Sequence, residues 1–154
     1  MKAETRLFGE IEIADDKIIT IEQGIIGFPD MQHFTLIFDA EKEEKSEIMW
    51  LQSMDDGCFA MPVIDPKVIV PTYAPNVEEE LLKPLGELKD EDVYILTTLT
   101  IPQGKVEEIS MNLKAPFVIN MANNKGCQII VEDDYPVKYK IYDILQSRKE
   151  KAGE

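Results

Sequence analysis

Histidine, tryptophan and cysteine are almost missing from this chain of 154 residues, which has one His, one Trp and two Cys. Cys58 and Cys127 stand 69 positions apart and form no C-x-x-C pair, so neither a zinc site nor a redox dithiol is signalled. Two free, buried thiols in a reducing compartment are the expectation. His33 precedes Phe34 in a strand-like run. A lone imidazole is too little for a metal site, and no Ser/His/Asp or Cys/His grouping follows from spacing, so a structural role is expected. Positive charge is also short, with 16 basic residues against 30 acidic and a formal charge of −14. Such a surface repels phosphate backbones and disfavours direct nucleic-acid binding. It would attract a basic protein partner and speed its arrival. No apolar run approaches membrane-spanning length, and Met1–Arg6 has no signal-like apolar core, so a cytoplasmic protein that avoids membranes is expected. Gly24 and Gly27 lack the spacing of a phosphate-cradling loop, and no cofactor is indicated. No coiled-coil stripe is visible, and a monomer is expected.

What the chain does have is apolar content, 44% of its residues, enough for one domain spanning 1–154 with a frayed polar tail over about 146–154. The organising stretch is Met49–Pro66, where two apolar runs flank Asp55-Asp56-Gly57. Asp-Gly between such runs signals a hairpin, because a tight turn needs positive φ. A two-residue loop at Asp56-Gly57 would set Trp50 opposite Val63, Gln52 opposite Met61 and Met54 opposite Phe59. Pro62 removes a ladder donor and points to an edge or a bulge. Ile64-Asp65-Pro66 ends the second strand.

Elsewhere, residues 4–13 alternate like a strand with Gly9 as a bulge, and Ile18–Ile21 returns after a turn. Gly24–Pro29 reads as a chain reversal with Phe28 tucked into the core. Phe34–Phe38 is a short strand, and Glu41–Glu47 a solvated charge run. Lys67–Val70 suggests another strand. Asn76–Leu82 suggests a helix capped by Asn76. Val93–Ile101 is rich in β-branched residues and predicts a long strand, with Val106–Asn112 pairing back. Ala115–Asn120 and Cys127–Val131 make two more strands, with Gly126 in the left-handed conformation. From Tyr139 a helix is expected, with Ile141, Ile144 and Leu145 on one stripe. Many short strands and one or two short helices predict a mainly β fold, an antiparallel sheet curled into a barrel or roll.

No constellation of catalytic type emerges. Asp55-Asp56 and Asp65 suit turns, and Glu132-Asp133-Asp134 lacks the spaced ligands of a calcium loop. A hydrolase would require a pocket joining His33 to a carboxylate; a generic barrel scaffold is the other competing class.

Taken together, several segments resemble the bacterial flagellar assembly factor FliW family. They are Gly24–Pro29, Trp50-Leu-Gln-Ser53, Ala60–Pro66, Asn112–Pro116 with Val118-Ile-Asn120, and Gln128–Val131 ahead of Tyr135-Pro136. The likeness runs in order from about Thr5 to Ile144. It implies a compact β-barrel-like domain and a non-enzymatic regulator. Proteins of that family bind CsrA, a small basic RNA-binding dimer that blocks translation of flagellin messenger RNA, and they also bind flagellin. Free flagellin would occupy the factor; once flagellin is exported, the factor would bind CsrA and lift repression, by allostery rather than by covering the RNA site. The charge agrees, and it is uneven. Residues 138–154 hold five basic and three acidic groups, leaving 11 basic against 27 acidic in the rest. Asp55, Asp56, Asp65, Glu132, Asp133 and Asp134 are the candidate partner contacts, because they are acidic and lie at turns or strand ends. Phe28 and Ile141 are the candidate apolar contacts for flagellin.

Overall fold

A computed structural model describes residues 1–38 and 48–152; the Glu41–Glu47 charge run lies outside them. The chain begins with a separate antiparallel hairpin of β1 (Lys2–Thr5) and β2 (Gly9–Glu12). Residues 4–13 are therefore two strands rather than one with a bulge at Gly9. The Thr5 hydroxyl donates to Gly9 O (2.8 Å) and accepts from Phe8 N–H (2.9 Å), which stabilises the turn between them.

Next come β3 (Ile19–Thr20), β4 (His33–Phe38), β5 (Met49–Ser53) and β6 (Ala60–Ile64). They pair in sequence as an antiparallel meander. β7 (Val93–Thr100) pairs with β6 on one side. Its other side pairs with β9 (Phe117–Asn120), and β9 pairs with β10 (Lys125–Gln128). β10 returns to β3 through one parallel pair, Lys125 with Thr20. Seven strands thus close a barrel, as the short-strand pattern predicts, and closure leaves few unpaired edges. Between β7 and β9, the two-residue β8 (Ser110–Met111) pairs with the end of β7, and β11 (Tyr139–Lys140) adds to β8.

Packing explains where the hydrophobic alternation holds and where it fails. Phe34, Leu51, Val63, Leu96, Phe117 and Ile119 fill the barrel interior. Val118, Cys127, Ile129 and Val131 form a second cluster with Leu85, which sits in the 3-10 segment Glu79–Leu85. β9 is therefore buried on both faces, and a strand so covered needs no polar side. Burial pushes the Cys127 thiol up to about 11. A third cluster joins Ile64, Tyr73, Leu99, Met111 and Ile141 beneath two helices, α1 (Pro66–Ile69) and α2 (Tyr142–Ala152).

Several local expectations are corrected. Lys67–Val70 belongs largely to α1, because Asp65 caps that turn by accepting from Lys67 N–H (3.0 Å) and Pro66 opens it. The Asn76–Leu82 helix is absent; Asn76 is held by Asp133 and the 3-10 segment starts later, at Glu79. Asn124, not Gly126, takes positive φ (57°), and Gly126 sits within β10. Phe28 is 48% exposed and packs on Phe59, with ring centroids 5.0 Å apart; Ile25 is the residue buried there. Cys58 is exposed rather than buried.

The central hairpin forms, but with its register moved by one residue. Trp50 faces Pro62, Leu51 faces Met61 and Gln52 faces Ala60. The cause is a longer tip. Ser53 Oγ accepts from Asp55 and Asp56 N–H, and Asp56 Oδ1 accepts from Cys58 N–H, so residues 54–59 form the loop. Gly57 does not adopt positive φ. It is needed for another reason: a Cβ there would lie 1.7 Å from Glu4 O, where the N-terminal hairpin crosses the tip. Arg6 N–H donates to Gly57 O across this contact (3.0 Å). The β6–β7 register covers only Val63 and Ile64, so Pro62 lies outside that ladder and its missing donor costs nothing there.

Gly57→Ala should drive the N-terminal hairpin off the tip and cost about 1–3 kcal/mol. Urea unfolding and amide exchange at Arg6 would show this; if neither changed, the close approach would not be part of the folded state. Asn120 is buried, its amide donates to Leu85 O (2.9 Å) and Glu87 O (3.0 Å), and its oxygen accepts from Ala122 N–H (3.0 Å). Asn120→Ala should cost at least about 2 kcal/mol by leaving these groups unpaired, read as a lower denaturation midpoint with an unchanged slope.

Candidate docking surface

The six acidic candidates fall in different parts of the fold. Asp55 and Asp56 lie in the tip loop beyond β5, and Asp65 lies at the far end of β6. Five strand residues separate tip and base, about 16 Å of rise. Glu132, Asp133 and Asp134 follow β10 and lie against the segment ahead of Glu79 rather than against the hairpin.

Four of the six build local structure. Asp55 Oδ2 accepts from Gln32 and His33 N–H, both at 2.8 Å, and its Oδ1 lies 3.0 Å from His33 Nδ1. Asp56 closes the tip and Asp65 caps α1. Asp133 receives the Asn76 backbone N–H (2.9 Å) and side-chain amide (3.3 Å), while its own carbonyl accepts from Lys114 Nζ (2.6 Å). That tie sits beside Tyr73, whose ring meets Tyr135 at 4.7 Å and whose hydroxyl donates to Leu113 O (2.7 Å). Burial first, then the neighbouring Tyr135 and Asp133, raise the Tyr73 phenol pKa far above its ordinary value. Glu132 and Asp134 are exposed. Among the described residues, no three His, Cys, Asp or Glu side chains are grouped to hold a metal ion.

His33 is not walled into the core. Its side chain is 38% exposed and borders a concavity of about 670 Å³ lined by Met1, Asp15, Asp16, Thr20 and Asn124. The Asp55 contact could orient its ring for base chemistry. The same carboxylate also fixes two backbone N–H groups, so it clips the tip loop to the start of β4.

Sequence reading missed three exposed apolar residues. Ile26, Ile130 and Val137 are 54%, 58% and 57% exposed, and they line one groove of about 460 Å³ with Asn112, Lys114 and Gln128. A partial signal existed in Ile129-Ile130-Val131: side chains alternate along an extended chain, so Ile130 points away from the face where Ile129 and Val131 are buried, and only the fold decides whether that other face is covered. Ile141, a candidate apolar contact, is fully buried and cannot serve without unfolding; Phe28 remains available.

Burial tends to raise the Asp55 pKa, but the hydrogen bonds from His33 and Gln32 N–H and the contact with the His33 ring outweigh it, and the net shift is downward. A carboxylate with a lowered folded pKa contributes stability above its unfolded value, and that contribution fades as pH falls through the folded one. Asp55→Asn should therefore lower the denaturation midpoint at pH 7, and the gap from wild type should close in acid below 3.8. A gap that stayed constant with pH would show that the carboxylate charge is not what holds the tip.

Comparison with known proteins places this architecture. The family sequence model described as FliW protein matches residues 2–141. The flagellar assembly factor FliW of Lachnoclostridium phytofermentans is 45% identical over 152 residues, covering 98% of this chain and 97% of that protein. That of Lachnospira eligens is also 45% identical, over 151 residues, covering 97% and 99%. Thermotoga maritima FliW is 37% identical over 150 residues, covering 97% and 98%. A solved structure described as a crystal structure of the flagellar assembly factor FliW superposes with a TM-score of 0.83 at 29% identity, covering 92% of this chain and 97% of the other. These relatives are named for assembly of the flagellum rather than for a reaction, and no helix among the described residues is long and apolar enough to cross a membrane. By sequence and by fold, the chain belongs to the FliW family of flagellar assembly factors.

Proposed function

We propose that this protein is a non-enzymatic partner switch controlling flagellin synthesis. It binds and antagonises the basic RNA-binding regulator CsrA and, alternatively, holds flagellin as a chaperone would. It acts in the cytoplasm as a monomer and without a cofactor, and touches neither nucleic acid nor membrane. The observation that carries this reading is family membership in a chain with a charge of −14. A strongly acidic surface speeds encounter with a basic dimer and suppresses wrong partners. Six carboxylates are the proposed contacts: Asp55, Asp56, Asp65, Glu132, Asp133 and Asp134. Of these, Glu132 and Asp134 are exposed beside the groove-lining Ile130, so they suit a first electrostatic contact. Flagellin binding draws on exposed apolar side chains such as Phe28.

The fold dictates which substitutions test this. Changing Asp133 would release Asn76 and confuse lost binding with lost structure. Glu132→Lys with Asp134→Lys leaves that tie intact. This double variant should bind CsrA about tenfold more weakly and with a shallower salt dependence, measured by calorimetry at two salt concentrations. Unchanged affinity would remove these residues from the interface. Wild-type protein that captured neither CsrA nor flagellin would overturn the partner-switch reading itself.

A further inference from the structure

We propose that the groove at Ile130 is a strand-addition site for an extended basic segment of a protein partner. Ile129 N–H donates to Pro116 O (3.1 Å) and Val131 N–H donates to Lys114 O (3.0 Å). In an antiparallel ladder the intervening residue turns its N–H and C=O to the opposite side. Among the described residues, neither backbone group of Ile130 has a hydrogen-bond partner. The neighbour that should cover this edge is β3, but its pairing with β10 ends at Lys125 with Thr20. The following turn reaches β10 through a side chain instead, Ile26 N–H donating to Gln128 Oε1 (2.8 Å). An edge that can accept a strand is therefore left where the barrel seam opens.

The side chains beside that edge indicate the occupant. Ile26, Ile130 and Val137 form an apolar groove, so every second residue of an added strand should be apolar. Glu132 and Asp134 follow where the chain bends away beyond Val131 and are exposed, while Lys114 is spent on the Asp133 carbonyl. Positive charge where the guest passes this acidic bend would be complementary. A second copy of this chain fits poorly, because two molecules of −14 repel. Recognition by main-chain hydrogen bonds plus alternate pockets is how sheet edges bind peptides. The choice of a basic guest rests on the docking reading above; the open edge does not.

The test uses the full chain and a blocked peptide of four Lys-Val repeats. Calorimetry should show binding, and hydrogen exchange at the Ile130 amide should slow on saturation. N-methylation of alternate peptide amides should abolish binding in one register and spare it in the other. A Glu-Val peptide should not bind, and Ile130→Ser, an exposed change that leaves the fold intact, should weaken the Lys-Val peptide about tenfold. The proposal is overturned if the Lys-Val peptide does not bind, if it binds without protecting Ile130, if both methylation registers bind alike, or if the Glu-Val peptide binds equally. It is also overturned if Ile130 becomes protected with rising protein concentration alone, which would assign the edge to a second copy. These arms are independent of CsrA and flagellin capture. Wild type that binds the peptide but neither protein keeps the edge and removes the partner switch; capture of CsrA by wild type and Ile130→Ser alike removes the edge as its site and keeps the switch.

Discussion

The barrel closes through one parallel pair, Lys125 with Thr20, and much of the molecule follows from that junction. Parallel neighbours cannot be joined by a tight turn, so β3 must arrive from far away in the chain. β3 is two residues long, and only a short contact is made. Asn124 turns into the left-handed region and its carbonyl accepts from Thr20 N–H (2.9 Å). Gly126 then lets Ile19, Ile21 and Ile119 approach, since a Cβ there would meet them at 3.3–3.4 Å. Beyond this point the strands part. The turn after β3 folds over the gap, with Ile25 buried and Ile26 exposed. Closure and the exposed groove are two results of the same geometry.

Around this seam, the polar residues of the FliW-like segments serve mainly to satisfy backbone. Asn112 accepts from Lys114 and Ala115 N–H (both 3.0 Å) and steers the chain into β9. Asn120 holds the Leu85–Glu87 segment against the barrel. Gln52 shares its two amide hydrogens among the carbonyls of Ser53, Gly57 and Phe59 at the hairpin tip, while its Oε1 is buried with no hydrogen-bond partner among the described residues. Buried polar groups are retained when they are hydrogen-bonded, and the side-chain bonds of Asn112, Asn120 and Gln52 replace ladder bonds that an irregular turn cannot make. The surface left over is acidic with a few apolar exposures. That is a surface for docking, and its carboxylates divide into those already committed to the fold and those free to meet a partner.

Asp133 shows why acidic residues alone were a coarse guide to a site. In the sequence it is one of three adjacent acids; in the fold it is the acceptor for Asn76, 57 positions earlier. Glu132 and Asp134, on either side of it, are exposed. The same limit applied to Gly57, where a turn residue was legible but its reason was not. The Glu4 backbone that excludes a Cβ comes from a remote strand. One residue of error in the hairpin register arose from the tip, because Ser53 and Asp56 recruit backbone donors into a longer loop that no dipeptide signal encodes.

The amino-acid order alone determined the mainly β class, the main barrel strands, the acidic character and the family. Those depend on local alternation, on composition and on motifs in sequence, all of which are written along the chain. Only the folded molecule decided that β9 is buried on both faces, that Phe28 and Cys58 are exposed, and that Ile130 faces outward on an open edge. Each of these depends on which distant segment packs alongside, and short strands leave that choice to the closure of the sheet.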